Sequence, residues 1–115
     1  MAAVSSHCMS CHDGETPFDA LGGSRGTPDN NMSALYPDST AIIGTNLDTH
    51  HPVGVVIPQG VYFKDSSLIA QSGLRLYENK VECLTCHDVH GATRAGKFLA
   101  RSNENSSLCL ECHNK

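Results

Sequence analysis

The chain has 115 residues, of which 39% are apolar, with three Phe, three Tyr and no Trp. We expect one domain, residues 1–115, with only a thin apolar core. The formal net charge of −4 argues against nucleic-acid binding, which needs a basic face, and the longest apolar run, Val53 to Ile57, is too short to cross a bilayer.

The first predicted element is Cys8-Met-Ser-Cys11-His12, a pattern that returns at residues 83–87 and 109–113 and uses every cysteine. Two thiols three residues apart suit addition to the two vinyl groups of a porphyrin, and the following histidine supplies a nitrogen to the iron. On one helical turn, positions i, i+3 and i+4 share a face. The pattern therefore predicts three haem c groups. The thioether cysteines are Cys8, Cys11, Cys83, Cys86, Cys109 and Cys112, and the proximal iron ligands are His12, His87 and His113.

A zinc site or a disulfide framework is the alternative, because two Cys-x-x-Cys pairs about twenty residues apart also fit a zinc ribbon. Three such pairs are an unusual ligand set for zinc, and all three pairs are followed by histidine. We therefore favour haem. Attachment of this kind takes place outside the bacterial cytoplasmic membrane, so we expect an exported protein, periplasmic or extracellular, from a bacterium or an archaeon, with its leader removed.

After the first motif, residues 13–46 are rich in Gly, Pro, Asn, Asp and Ser, with Gly22-Gly23 and Thr27 to Asn31 as the densest turn signals. No period of 3.6 or 2 is sustained there, which predicts irregular chain that lies against haem edges. Asp13, directly after His12, and Asp88, after His87, are expected to cap a turn or face solvent; the alternative is a hydrogen bond that tunes the neighbouring histidine ligand.

Two short extended regions are predicted next. Residues 53–57 and 61–63 flank Pro58-Gln59-Gly60 and are expected to form a short hairpin or an extended wrap. Residues 74–82 are expected to form a second hairpin that turns at Glu78-Asn79-Lys80 and delivers Cys83 to its haem. Ser106 or Ser107 is expected to cap the helical turn of the last motif.

Four histidines remain as candidates for the distal iron positions: His7, His50, His51 and His90. His90 lies three residues after His87 and cannot reach round to the same iron, so as a ligand it would bind a different haem within about 11 Å. His50 and His51 precede a proline that favours extended chain, in which successive side chains point to opposite faces. They could therefore reach two haems.

His7 is too near its own haem to reach the opposite side. It would ligate another haem, in this chain or in a neighbouring copy, or stay exposed. Met32 is the competing methionine ligand for the first haem. Chain order favours His50 as the distal ligand there, with His7 of a neighbouring subunit as the second choice.

Four stretches of the sequence resemble the small multihaem cytochromes c of metal- and sulfur-respiring bacteria that have doubled Cys-x-x-Cys-His motifs. They are residues 8–14, 51–54, 81–91 and 106–115. The resemblance implies bis-histidine, low-spin haems, with His51 as distal ligand of the second haem and His90 of another, most naturally the third. The short chain, its thin apolar core and its turn-rich sequence predict a small, mostly irregular multihaem cytochrome c fold with a few short helices at the motifs, one or two short hairpins and a core made of three haems.

Electron transfer is the expected function, because iron with two histidine ligands has no open position for a substrate. The protein would be a carrier or, as in some relatives, a subunit of an extracellular conductive filament, and not an enzyme. The alternative is a haem reductase, or a subunit of one, with one open iron site. Expected partners are redox proteins or extracellular electron acceptors, and further copies of the chain in a homopolymer.

Overall fold

The computed structural model describes residues 3–18, 30–90 and 96–114. Its residues fall into two compact units, one spanning 3–52 and the other running from Val53 to the end of the described chain. The expected single domain over residues 1–115 stays a prediction. The turn signals at Gly22-Gly23 and Thr27-Pro28-Asp29 lie outside the described residues.

Two helices form in the 3–52 unit, α1 (Ala3–His12) and the short α2 (Met32–Leu35). Asn31 caps α2, since its side-chain oxygen accepts a hydrogen bond from Ala34 N at 2.9 Å. The other described residues of this unit form turns and bends. The predicted irregular character of residues 13–46 is therefore confirmed for the part that the structure describes.

Gly14 makes the turn that follows α1. Its φ of +80° lies in the left-handed region, and a Cβ placed there would lie 2.8 Å from Ile42 Cγ2. Only glycine allows the chain after the first motif to pass this close to residues 41–43.

The unit from Val53 onward contains β1 (Val55–Val56), α3 (Ser66–Gln71), β2 (Lys80–Val81), α4 (Cys83–Cys86) and α5 (Ser107–Leu110). Strands β1 and β2 pair antiparallel, with Val55 opposite Val81. Short 3₁₀ turns cover Gly96–Phe98 and Glu104–Ser106. A small core joins these elements, built from Ile57, Ile69, Leu74, Val81 and Leu108.

The second predicted hairpin is confirmed. Tyr77 N donates to Lys80 O at 3.0 Å and Lys80 N donates to Tyr77 O at 2.9 Å. Glu78 and Asn79 between them have φ of 54° and 60°, which is the backbone of a tight two-residue hairpin turn. The returning strand is β2, and two residues later Cys83 begins α4.

The first predicted hairpin is wrong, because its two segments take different partners. The 53–57 segment pairs with the second hairpin, and Ile57 N donates to Asn79 O. The 61–63 segment instead pairs with the end of the third motif, where Phe63 forms an antiparallel bridge to His113. Val55 and Val56 are extended as predicted, whereas Val61 and Tyr62 form a turn and Phe63 makes a single bridge.

Within the described ranges, no helix combines the length and the apolar character needed to span a membrane. The few short helices and the small two-stranded sheet agree with the expected small, irregular cytochrome fold.

Candidate haem-attachment sites

The first motif occupies the last part of α1. Helix geometry places Cys8, Cys11 and His12 on one face, at positions i, i+3 and i+4. All three residues are partly exposed, so that face is open to a ligand.

A backbone carbonyl fixes the orientation of the His12 ring. Nδ1 lies 2.8 Å from Ala41 O, and Ile43 N donates to His12 O at 2.9 Å. Because a carbonyl oxygen only accepts hydrogen bonds, Nδ1 carries the proton in this contact. Nε2 is then the nitrogen with the lone pair, which is the form that binds a metal.

Buried polar contacts define the second motif, which occupies α4. Glu82 precedes the helix and is 1% exposed, as is Thr85. The two residues form a capping box, in which Glu82 N donates to Thr85 Oγ1 at 3.0 Å and the Glu82 side chain accepts from the Thr85 backbone. His87 N donates to Cys83 O at 3.0 Å and closes the helical turn of the motif.

A backbone carbonyl also fixes the orientation of the His87 ring, as at His12. Its Nδ1 lies 3.0 Å from Lys97 O, which again assigns the proton to Nδ1 and the lone pair to Nε2. The backbone of His87 forms an antiparallel bridge to Leu99. Lys97, which provides this carbonyl, and the next residue, Phe98, have φ of 61° and 56°. This left-handed conformation is uncommon for residues other than glycine.

The third motif repeats the backbone arrangement of the second. His113 N donates to Cys109 O at 3.0 Å, and His113 forms an antiparallel bridge to Phe63. The His113 ring packs against the Phe63 ring, with centroids 5.0 Å apart and an angle of 47° between the planes. The predicted serine cap is wrong: the helix begins after Ser106, whose side chain makes no capping bond, and Asn103 Oδ1 accepts from Leu108 N instead.

A cleft of about 490 Å³ opens beside this motif. Cys109 and His113, the predicted thioether and ligand positions, line this cleft. Tyr62, 74% exposed, and Leu110, 37% exposed, line it with apolar surface. Exposed apolar side chains next to a cysteine and a histidine fit a flat apolar group bonded to both.

All six cysteines are free thiols in the structure. Burial raises the pKa of Cys86, and the charges of Cys112, Cys109 and Cys83 raise it further. Burial also raises the pKa of Cys112, with the Glu111 carboxylate adding to the effect. Cys86 and Cys112 pack against the same small core.

A preformed zinc site does not match this arrangement. A structural zinc site needs four Cys or His ligands at tetrahedral spacing. Across 3–18, 30–90 and 96–114, no three His, Cys, Asp or Glu side chains converge in a way that could hold a metal ion. The donor set fits haem, which takes the histidine of each motif as its proximal ligand and bonds the thiols to its own carbons.

The two aspartates that follow proximal histidines cap turns, as expected. Asp13 Oδ1 accepts from Glu15 N and Thr16 N, each at 2.9 Å. Burial acts to raise the pKa of Asp13, but the Thr16 and Glu15 hydrogen bonds outweigh it and leave the pKa below its usual value. Asp88 Oδ1 accepts from His90 N at 3.0 Å.

The four candidate distal histidines are all exposed. His7 lies on α1, His50 N closes a turn onto Leu47 O at 2.9 Å, and His51 Nδ1 lies 3.0 Å from Pro52 O. His90 is in the bend capped by Asp88. Their assignment to particular irons stays a prediction.

Sequence reasoning missed the carbonyl partners of His12 and His87. Every residue carries a carbonyl, so Ala41 has no signature that could have revealed its role. Gly96 directly before Lys97 marks a turn, which is the only local signal at the second site.

Residues 77–115 match the model of the Doubled CXXCH motif family. No curated protein and no solved structure gave a significant match to the chain. The family match agrees with the local geometry of both motifs: α4 covers Cys83–Cys86, and α5 leads into the turn that His113 N closes onto Cys109 O. It supports a multihaem c-type cytochrome with paired motifs, and with it covalent haem binding and electron transport.

Proposed function

We propose that the protein transfers electrons through three covalently attached haem c groups, each with histidine at both axial positions. The observation that carries the proposal is the repeated local geometry. Each Cys-x-x-Cys-His motif is one helical turn, and at two of the three the proximal imidazole donates Nδ1–H to a carbonyl, which leaves Nε2 for iron. Haem iron would supply a one-electron couple, and with two histidine ligands it would offer no open position to a substrate.

The chain's own residues would hold and orient the haems. Cys8/Cys11, Cys83/Cys86 and Cys109/Cys112 would form the thioethers, and His12, His87 and His113 would be the proximal ligands. The Ala41 and Lys97 carbonyls increase the basicity of the first two ligands, which stabilises ferric iron and favours a low potential.

The distal ligands in this proposal are His50 for the first iron, His51 for the second and His90 for the third. His7 of a neighbouring copy is the alternative at the first iron, and this alternative would join subunits into a filament. The formal net charge of −4 suits a basic redox partner or a cationic acceptor. We further propose that the protein is exported and works in the periplasm or outside the cell.

The test combines the intact mass of the purified protein with reduced and oxidised optical spectra. We expect a mass increased by three haems that survives acid-acetone extraction, and low-spin spectra in both states. Replacing both cysteines of one motif by serine should remove one haem and leave the other two, for each motif in turn.

Colourless protein that contains zinc would overturn the proposal. Rapid carbon monoxide binding by a third of the reduced haem would show one open iron site and favour a reductase.

A further inference from the structure

The side chain of Phe63 contacts the histidine of the third motif. The Phe63 and His113 rings lie with their centroids 5.0 Å apart and their planes at 47° to each other, which is a favourable arrangement for two packed rings. The two residues face each other across an antiparallel bridge, so their side chains leave the backbone on the same face. The contact is therefore part of the strand pairing of this motif.

The backbone around Phe63 is attached to the third motif on both sides of the bridge. Lys64 N donates to Cys112 O at 2.8 Å, and Asn114 N donates to Tyr62 O at 2.9 Å. The side-chain amide of Asn114 also donates to Phe63 O at 3.1 Å. The Phe63 ring thus cannot move away from the motif unless these hydrogen bonds break.

The Phe63 side chain is also held by the small core of this unit, against which it packs. A bridge with the same pattern of hydrogen bonds joins His87 to Leu99, and Leu99 packs against the same core. An apolar side chain at this place therefore serves the core in both motifs, and leucine is sufficient for that purpose.

The helical turn of the third motif fixes the position of the His113 backbone but not the plane of the His113 ring. His113 N donates to Cys109 O at 3.0 Å and sets the backbone. Rotation about the Cβ–Cγ bond of a histidine has a broad, shallow preference, so the backbone alone leaves the ring plane loosely defined. The Phe63 ring restricts this rotation, because turning the imidazole would drive its edge against a side chain that is held in place.

We propose that Phe63 is a positioning residue that holds the imidazole plane of His113 in one orientation on the third haem. The inference rests on the proposed function, in which His113 is an iron ligand. Neighbours of a ligating histidine fix the orientation of its ring, and a site keeps its geometry where packing locks the side-chain rotamers of its ligands. The plane of an axial imidazole decides which iron d orbital it overlaps, so a fixed plane gives the haem one defined electronic state.

The test is Phe63→Leu in the holoprotein, which places the residue of the second site at the third and keeps the core apolar. Proton NMR of the oxidised protein reports the ring plane, because the paramagnetic shifts of the four ring methyls of a haem spread according to the orientation of its axial imidazoles. We expect the methyl shifts of the third haem to contract towards their mean, since a rotating ring averages them. The shifts of the other two haems should stay in place.

The methyl signals of the third haem are assigned as those that disappear when Cys109 and Cys112 are both replaced by serine. Phe63→Tyr retains an aromatic ring and should retain the parent shifts. Leu76→Ala is the matched control, because Leu76 also packs against the core but belongs to no bridge and no motif. It should lower the unfolding temperature and leave the methyl shifts of the third haem unchanged.

Unchanged third-haem shifts in Phe63→Leu would overturn the inference and leave the proposed function intact. The same contraction in Leu76→Ala would also overturn it, because the effect would then come from a loosened core and not from the ring contact. A parent protein whose third motif carries no haem would overturn both the inference and the proposed function.

Discussion

The Nδ1 atom of His87 lies 3.0 Å from the backbone carbonyl of Lys97, a residue with left-handed φ of 61°. An unfavourable backbone conformation thus lies at the residue whose carbonyl orients the His87 ring. Such conformations persist only where surrounding contacts hold them. Here the bridge between His87 and Leu99 provides them.

The left-handed backbone of Lys97 gives the first prediction. Lys97→Val should lower the unfolding free energy by about 1–2 kcal/mol, because a β-branched side chain is strongly disfavoured at positive φ. Lys97→Gly at the same position should retain or raise stability, because glycine adopts this φ without strain. Thermal unfolding of both variants checks the prediction. Equal losses in the two would show that the lysine side chain, and not the backbone, matters.

The second prediction concerns Gly14. The added Cβ of Gly14→Ala would meet Ile42 Cγ2 at 2.8 Å and displace residues 41–43. This displacement should weaken the hydrogen bond between His12 Nδ1 and Ala41 O. We expect a loss of about 1–3 kcal/mol in unfolding free energy, with perturbed spectra of the first haem. Gly44→Ala is the control, since Gly44 also has positive φ (+74°) but no atom lies within 4 Å of the added Cβ. Stability losses of the same size in both variants would contradict the clash.

The capping box of α4 gives the third prediction. Thr85→Val keeps the shape of the side chain but removes the hydroxyl that accepts from Glu82 N in a buried position. An unsatisfied buried donor costs about 1–3 kcal/mol. Denaturant unfolding measures the loss. Thr16→Val is the control, because the Thr16 hydroxyl bonds Asp13 at a partly exposed site and should cost less.

The fourth prediction tests the distal ligands. His51→Ala should convert the second haem to high spin and His90→Ala the third, because each would open an axial position. In dilute solution His50→Ala should open the first haem, whereas His7→Ala should leave it low-spin. The optical spectra of the four variants provide the measurement. A high-spin first haem only in His7→Ala, together with loss of filaments, would assign that ligand to a neighbouring subunit.

The local geometry of the site was predictable because it depends on neighbours in sequence. The spacing of Cys83, Cys86 and His87 fixes a helical turn, and Glu78-Asn79 fixes a hairpin turn. What the sequence could not reveal was pairing between distant segments. The segments that contain Val55 and Tyr62 were both predicted to be extended from sequence. Only tertiary packing decides that the first pairs with β2 and the second with the third motif. The carbonyls of Ala41 and Lys97 escaped prediction for the same reason.

The bridge between Phe63 and His113 closes a loop of about 50 residues, whereas the bridge between His87 and Leu99 closes one of about 12. Loop-closure entropy rises by about 0.6 kcal/mol for each doubling of length, so the longer closure costs about 1.2 kcal/mol more. Contacts distant in sequence also form slowly. During folding the second motif should therefore become ordered before the third. Among the four cysteines of these two motifs, the Cys109 thiol should stay accessible to modifying enzymes for the longest time.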